Sequence, residues 1–377
     1  MDDIYNQFDI SSKYGFLMEP NVKYSIRKPY DKILEICEKL PYLIKSHEIQ
    51  NVIDDMEIII IDDETTDVEY KMLYSMLCLI QSGYIWHNGE GKHNKKVPRQ
   101  IVIPLHKVSE YLGIQYIITH YAIDCYNWKI IDETKPITLD NVKSIFTITS
   151  NKSEIGFCMV AVVIEYYGKN ILDEIIRLNI LDLNESEILE SFIVISNMLT
   201  IFNETMDKMY EVCDPDFFYG ELRIFLAGWT NKVLFPEGME LEGINYNVAI
   251  EGASAGQSAI IHVLDTFFCI NHKGNFHNSM RKFMPKKHAD FIIWVSQNKV
   301  AKDFVLNDGI KNIYNECIDK LGKFRSIHLG FIKQYIIDTK QKAKYKSAIS
   351  EEGSGGTNNI IFTLKEFKNE TLNAMII

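Results

Sequence analysis

The sequence predicts an all-α protein, and three observations carry that reading. Apolar residues recur at helical spacing, as in Ile33, Ile36 and Leu40, and again in Ile175, Ile176, Leu178 and Leu181. Sustained alternation of strand type is scarce. Helix-start signals punctuate the chain, among them Asp214 before Pro215, an N-cap followed by proline at the first helical position.

A chain of 377 residues exceeds one comfortable core, so two packed domains, or one large domain with a smaller cap, are expected. The polar segment Thr149-Ser150-Asn151-Lys152-Ser153-Glu154 separates a mixed first part from an apolar run beginning at Gly156, which divides the chain into residues 1–149 and 150–377. Within the first part, Met56 to Ile61 reads either as a β-rich stretch or as a buried helix turn.

Composition narrows the function. A hydrophobic content of 46% and a charged content of 24% are those of an ordinary globular protein. The net charge of -11 repels a phosphate backbone, and the short basic stretches Lys92 to Lys96 and Lys340 to Lys346 read as solvated loops, so no nucleic acid is expected as a partner. Seven scattered cysteines, odd in number and without a C-x-x-C, argue against a disulfide framework and a zinc ribbon. The N-terminus is acidic where a signal peptide is basic, and no apolar run approaches the roughly 18 residues of a membrane span. A reducing, cytoplasmic location without a membrane follows as the expectation.

Four segments hold candidate chemistry. The helix opened by Asp214 and Pro215 carries Phe217, Phe218, Tyr219, Arg223 and Phe225, and a guanidinium among aromatic rings suits a flat apolar body bearing a carboxylate. An arginine that snorkels to the surface is the rival. The tract Glu251 to Ser258 is mostly small residues, so backbone can approach a flat ligand closely; it lacks the G-x-x-x-x-G-K-[ST] order of a phosphate loop, as does Gly89-Glu90-Gly91-Lys92, and a plain turn is the alternative. Leu321 to Ile336 reads as a helix with Leu321, Phe324, Phe331, Ile332 and Tyr335 on one face, and His328 falls in that stripe. There it serves either as a hydrogen-bonded core histidine or, when neutral, as a ligand to haem iron. Lys340 to Asn359, with Gly353-Ser354-Gly355-Gly356-Thr357, reads as a mobile loop. His87, His93, His272 and His277 lie in polar loops without a spaced metal-ligand partner and read as surface residues.

Five motifs in order bring these pieces together: Leu222-Arg223-Ile224-Phe225-Leu226-Ala227-Gly228-Trp229, Pro236-Glu237-Gly238, Ser254-Ala255-Gly256-Gln257-Ser258, Arg281-Lys282-Phe283-Met284-Pro285 and Arg325-Ser326-Ile327-His328-Leu329. With weaker matches at Tyr14-Gly15-Phe16, Tyr84-Ile85-Trp86, Val97-Pro98-Arg99 and Asn127-Trp128, the chain resembles the indoleamine 2,3-dioxygenase family over nearly its whole length.

The resemblance implies a large helical domain, 150–377, that holds haem b with His328 as axial ligand to the iron, and a smaller, mostly helical domain, 1–149, that caps the distal face. Asp265 and Arg325 match positions of the propionate and proximal region. Arg223, Phe218, Ser254 and Ala255 match the catalytic pocket, and Phe157, Gly256 and Thr357 match its walls and the loop over it. The implied reaction inserts O2 across the indole C2–C3 bond of tryptophan or a related indoleamine to give an N-formylkynurenine-type product, with an electron donor keeping the iron ferrous and the chain acting as a monomer. Two alternatives remain beside it: another oxidation of a tryptophan derivative, and a non-catalytic, myoglobin-like O2 carrier. Retention of Arg223 leans against storage.

This chain departs from the vertebrate pattern at Ala161, where serine is usual, at Cys158 and Tyr219, where phenylalanine is usual, and at His120, where tyrosine is usual. His120 and Asp124 are one helical turn apart, a spacing that reads either as a helix-surface pair or a misplaced alignment, or as an imidazole oriented into the distal pocket. The rest of the distal wall is expected to be largely apolar.

Overall fold

The computed structural model describes residues 1–20, 26–244, 247–342 and 360–377. It is 62% helical and 4% strand, the all-α class that the periodicity predicts. The strands form two minimal sheets: Lys96–Val97 runs parallel to Glu240–Leu241, and Trp128–Ile130 pairs antiparallel with Val142–Ser144, Trp128 opposite Ser144. Met56 to Ile61 joins neither. It is irregular chain, so both readings of that stretch fail; branched side chains favour an extended path, and no neighbouring strand pairs with it.

The first part is organised around the Asp67–Trp86 helix. Thr66 and Glu69 close a reciprocal cap at its start, and the helix is buried on every side from Glu69 to Trp86. A helix apolar all round has no solvent face to present, so its neighbours wrap it: Arg99–Leu112 lies along it, and Asp31–Glu38 and the Tyr121–Cys125 π-turn pack against it.

The second part is built on three long helices. Lys152–Ile180 begins at Asn151, whose side chain caps Ser153, while Glu154 turns back to accept from the Ile148 and Thr149 amides at 2.6 and 2.8 Å. Glu185–Asp207 opens on an Asn184/Glu187 capping box. Asp308–Ile332 opens on Asn307 and continues into the Lys333–Asp338 π-turn, so the helix forecast from Leu321 starts 13 residues earlier. This third helix packs against Glu185–Asp207 and against the C-terminal helix, Ile360–Leu372.

Lys152–Ile180 corrects the statement that no apolar run approaches the length of a membrane span. It is long and apolar enough to cross a membrane by length and composition, although 56% of its most apolar stretch is buried inside the protein. All seven cysteines are unpaired, as their spacing predicts.

Candidate active site

The Asp308–Ile332 helix brings His328 to the wall of a cavity enclosing about 1640 Å³ of empty space, part of it open to solvent. The stripe around His328 behaves as predicted: Leu321, Phe324, Phe331, Ile332 and Tyr335 are all buried. His328 makes no hydrogen bond to any described residue. Burial, with a smaller contribution from the charge of Arg325 one turn earlier, pushes its pKa down to about 4, so the ring is neutral at pH 7.

Arg325 faces the same cavity and turns its guanidinium onto Asp265 of the Ala259–Phe267 helix. Burial raises the Asp265 pKa, but Arg325, His272 and His277 outweigh it and hold the carboxyl well below its usual range. His272 Nε2 lies 3.0 Å from Asp265, and its Nδ1 lies 2.8 Å from Glu370 of the C-terminal helix. His277 stands 3.5 Å from Asp265 and stacks on His262 at 3.7 Å between centroids. The surface reading of His272 and His277 is therefore wrong, for their side chains are only 3% and 13% exposed. Their carboxylate comes from another element, which spacing could not reveal. His87 and His93 are likewise buried, held by the carbonyls of Tyr84 and Leu234.

A second stretch of wall is aromatic. Phe157 and Phe218 lie 5.0 Å apart, and Phe218 meets Phe331 edge-on at 5.8 Å. Asp214 caps the Phe217 amide at 2.8 Å, and the chain then winds through a π-turn at Phe218–Leu222 that delivers Arg223 to the cavity. Arg223 is 3% exposed, so its surface reading fails; burial lowers its pKa to about 10 against the opposing influence of Tyr219 and Glu90.

The small-residue tract closes beside it through two glycines. Trp229 N donates to Ile250 O at 2.7 Å and Ala253 N to Leu226 O at 3.0 Å, so the two segments run in backbone contact. A Cβ on Gly228 or Gly252 would fall 2.2 or 2.1 Å from a carbonyl oxygen of the other segment. This contact sets Ser254, Ala255 and Gly256 on the cavity wall, with the Ser254 hydroxyl accepting from the Gly256 amide at 3.2 Å.

The expectation of a largely apolar remainder is wrong in one place. His120, Asp124 and Glu165 all line the cavity and are buried. His120 Nδ1 is 2.7 Å from Asp124 Oδ2, and its Nε2 is 3.1 Å from Glu165 Oε1, which also accepts from Ser258 Oγ at 2.6 Å. Burial disfavours the charged ring, yet Cys125, Asp124 and Glu165 outweigh it and raise its pKa well above the ordinary value, which favours the protonated form. The helix-surface alternative for His120 and Asp124 is excluded.

Of the residues singled out in the sequence, His120, Phe157, Ala161, Phe218, Arg223, Ser254, Ala255, Gly256, Arg325 and His328 line the cavity together. Cys158 and Tyr219 do not. Phe157, Ala161, Ile164 and Glu165 share one helical face, and Cys158, about 100° further round, turns to Asp124. Tyr219 leaves the π-turn on the side away from Phe218 and lines a neighbouring pocket with Trp86 and Gly89. Asp265 stands behind Arg325, and Thr357 lies outside the described residues. Glu165 and Ser258 were not anticipated as a pair; the one available signal was a lone acid in the apolar run from Ile155 to Glu165.

Fold and site together define a class: all-helical proteins with a mostly apolar cavity and a neutral imidazole on its wall. The family model "Indoleamine 2,3-dioxygenase" matches residues 4–374. Indoleamine 2,3-dioxygenase 2 of Homo sapiens is 28% identical over 98% of this chain and 95% of its own length. The indoleamine 2,3-dioxygenase of Saccharomyces cerevisiae is 27% identical over 89% and 80%, and the 6-hydroxytryptophan 2,3-dioxygenase of Fusarium equiseti 25% over 100% and 99%. The chain belongs to the indoleamine 2,3-dioxygenase family, which is haem-dependent, and is an enzyme of the dioxygenase class.

Proposed function

We propose that this chain holds haem b through His328 and dioxygenates the indole ring of tryptophan or a related indoleamine, a substrate class that fits the names of its relatives. The observation that carries the reading is the His328 imidazole: neutral, without a described hydrogen-bond partner, and on the wall of the cavity that also gathers Arg325, Arg223 and Phe218. A neutral imidazole nitrogen keeps a lone pair that it can donate to iron. Arg325 is the cation available to a propionate, with Asp265 and His272 fixing its direction.

When bound, haem supplies the activation of O2 for addition across the indole C2–C3 bond. The residues of the chain do the rest. Arg223 pairs with the substrate carboxylate, a bidentate contact that orients the ring. Phe157 and Phe218 flank the indole and exclude water, while Ala161 and the Ser254–Gly256 backbone bound the remaining space. His120 holds its proton, since both ring nitrogens are engaged by carboxylates, and so its role is to position Asp124 and Glu165.

We read residues 1–149 as the smaller domain and 150–377 as the larger. The first contributes His120, Ile123 and Asp124 to the cavity wall and the second its other lining residues, so the cavity lies where they meet. Thr357 is assigned to the loop over the opening by resemblance alone. A monomeric, cytoplasmic enzyme served by a separate electron donor completes the reading.

The test is anaerobic reduction of the haem-loaded protein, followed by tryptophan and O2. Formylkynurenine absorbance, with a product mass gaining both oxygen atoms, is the expected result. A stable oxygen complex that tryptophan does not discharge would contradict the reading.

A further inference from the structure

Asp124 and Glu165 are 3% and 2% exposed, line the cavity, and each leaves one carboxylate oxygen without a partner. The orphan atoms are Asp124 Oδ1 and Glu165 Oε2. Their sister oxygens are fully engaged: Asp124 Oδ2 by His120, and Glu165 Oε1 by both His120 and Ser258. The arrangement is rigid from the backbone outward, because the His120 amide donates to Gln257 Oε1 at 3.0 Å, and Gln257 Nε2 donates to Gly252 O at 2.7 Å.

With both nitrogens bonded to carboxylates, His120 offers no N–H to the cavity. What this stretch of the wall leaves over is a pair of unpartnered carboxyl oxygens on two residues that line the cavity. A buried carboxyl oxygen left without a partner is costly, and a hydrogen-bond donor brought to it relieves that cost. The molecule that fills this cavity therefore lowers the free energy of the wall if it brings a donor.

We propose that Asp124 and Glu165 form an acceptor subsite that selects indoles by a hydrogen-bond donor carried on the ring. The donor has two sources, the indole N–H and the O–H of a ring-hydroxylated indole, which share one chemistry. The subsite is separate from the Arg223 clamp, which recognises the carboxylate of the side chain, so the pocket reads both ends of its substrate. This inference rests on the haem-dioxygenase reading; the Cys158 thiol, whose pKa burial raises, lies against Asp124 as a weak S–H donor that a ligand N–H or O–H outcompetes.

The test uses the haem-loaded enzyme and reads equilibrium dissociation constants from the ligand-induced change in the haem absorption band. Tryptophan is compared with 1-methyltryptophan, which lacks the ring N–H, and with 5- and 6-hydroxytryptophan, which add an O–H. At least one comparison is expected to favour the donor by about tenfold, the effect of a single charge-assisted hydrogen bond. Asp124→Asn and Glu165→Gln should each cut that ratio severalfold. Ratios are taken within one protein, so a general weakening of the pocket cancels; if one variant fails to fold, the other carries the comparison.

A preference in the methyl comparison alone assigns the subsite to the ring N–H, and one in the hydroxyl comparison alone assigns it to a hydroxyindole. Wild-type ratios within twofold of unity in both comparisons, or wild-type ratios retained in the variants, overturn the proposal. A protein that shows no haem band at all would instead overturn the functional reading on which this one stands.

Discussion

Replacing Asp265 by Ala removes the anion at the centre of a buried network and leaves Arg325 and His272 facing one another without it. The Asp265 and Arg325 side chains are 2% and 8% exposed, so solvent does little to screen the orphaned guanidinium. Breaking such a pair by deleting one partner costs about 3–5 kcal/mol. For 377 residues, an unfolding entropy of ~2.1 cal/mol/K per residue gives about 0.8 kcal/mol/K, so the melting temperature should fall by about 4–6 °C. Scanning calorimetry at pH 7, on protein purified without added haem, measures it. The sign with pH follows from the depressed Asp265 pKa: its stabilisation is present above the unfolded carboxyl value near ~4 and is lost as pH falls below it. The difference between wild type and variant should therefore shrink in acid. Adding Arg325→Met to the variant should recover much of the loss, because the uncompensated charge goes with it. A melting temperature within 1 °C of wild type for Asp265→Ala would refute the claim that this pair anchors the His328 helix to the Ala259–Phe267 helix.

Three further outcomes follow from the geometry. His277 and His288 have pKa values pushed down to about 4 by burial, below the unfolded ~6.5, so their contribution is complete above pH 6.5 and is lost towards pH 4; melting curves across that window should fall with pH, and a flat profile would contradict the assignment. Gly252→Ala places a methyl group 2.1 Å from Leu226 O and should cost roughly 1–3 kcal/mol while weakening substrate binding through the displaced Ser254–Gly256 wall; unchanged melting and affinity would show that the close approach is dispensable. Arg223→Lys should weaken tryptophan about tenfold or more, and tryptamine, which lacks the carboxylate, far less; equal losses measured by spectral titration would remove the clamp.

The sequence made visible what depends on near neighbours in the chain. The His328 stripe, the Asp214–Pro215 helix start and the His120–Asp124 spacing are local patterns, and each is found where its period places it. The five ordered motifs pointed to the family because they are runs whose order survives distant divergence. What stayed hidden depends on chain folded back from afar. Glu165 meets Ser258 across 93 positions, a distance over which no periodicity operates. His272 and His277 looked exposed because their loop is polar, yet Glu370 and Phe367 of the C-terminal helix cover them. Cys158 and Tyr219 were misplaced by one residue of helical phase, an error that family alignment alone does not correct. Met56 to Ile61 has the composition of a strand, but strand formation needs a partner, and the fold provides none.

The central claim is a bond between the iron of haem and the ring of residue 328. Haem is added to purified wild type and to His328→Ala under identical conditions, and the visible spectrum of each is recorded with haem retention after gel filtration. The account predicts a retained, histidine-ligated band in the wild type and its loss or severe weakening in the variant. Equal retention with superimposable spectra would contradict it.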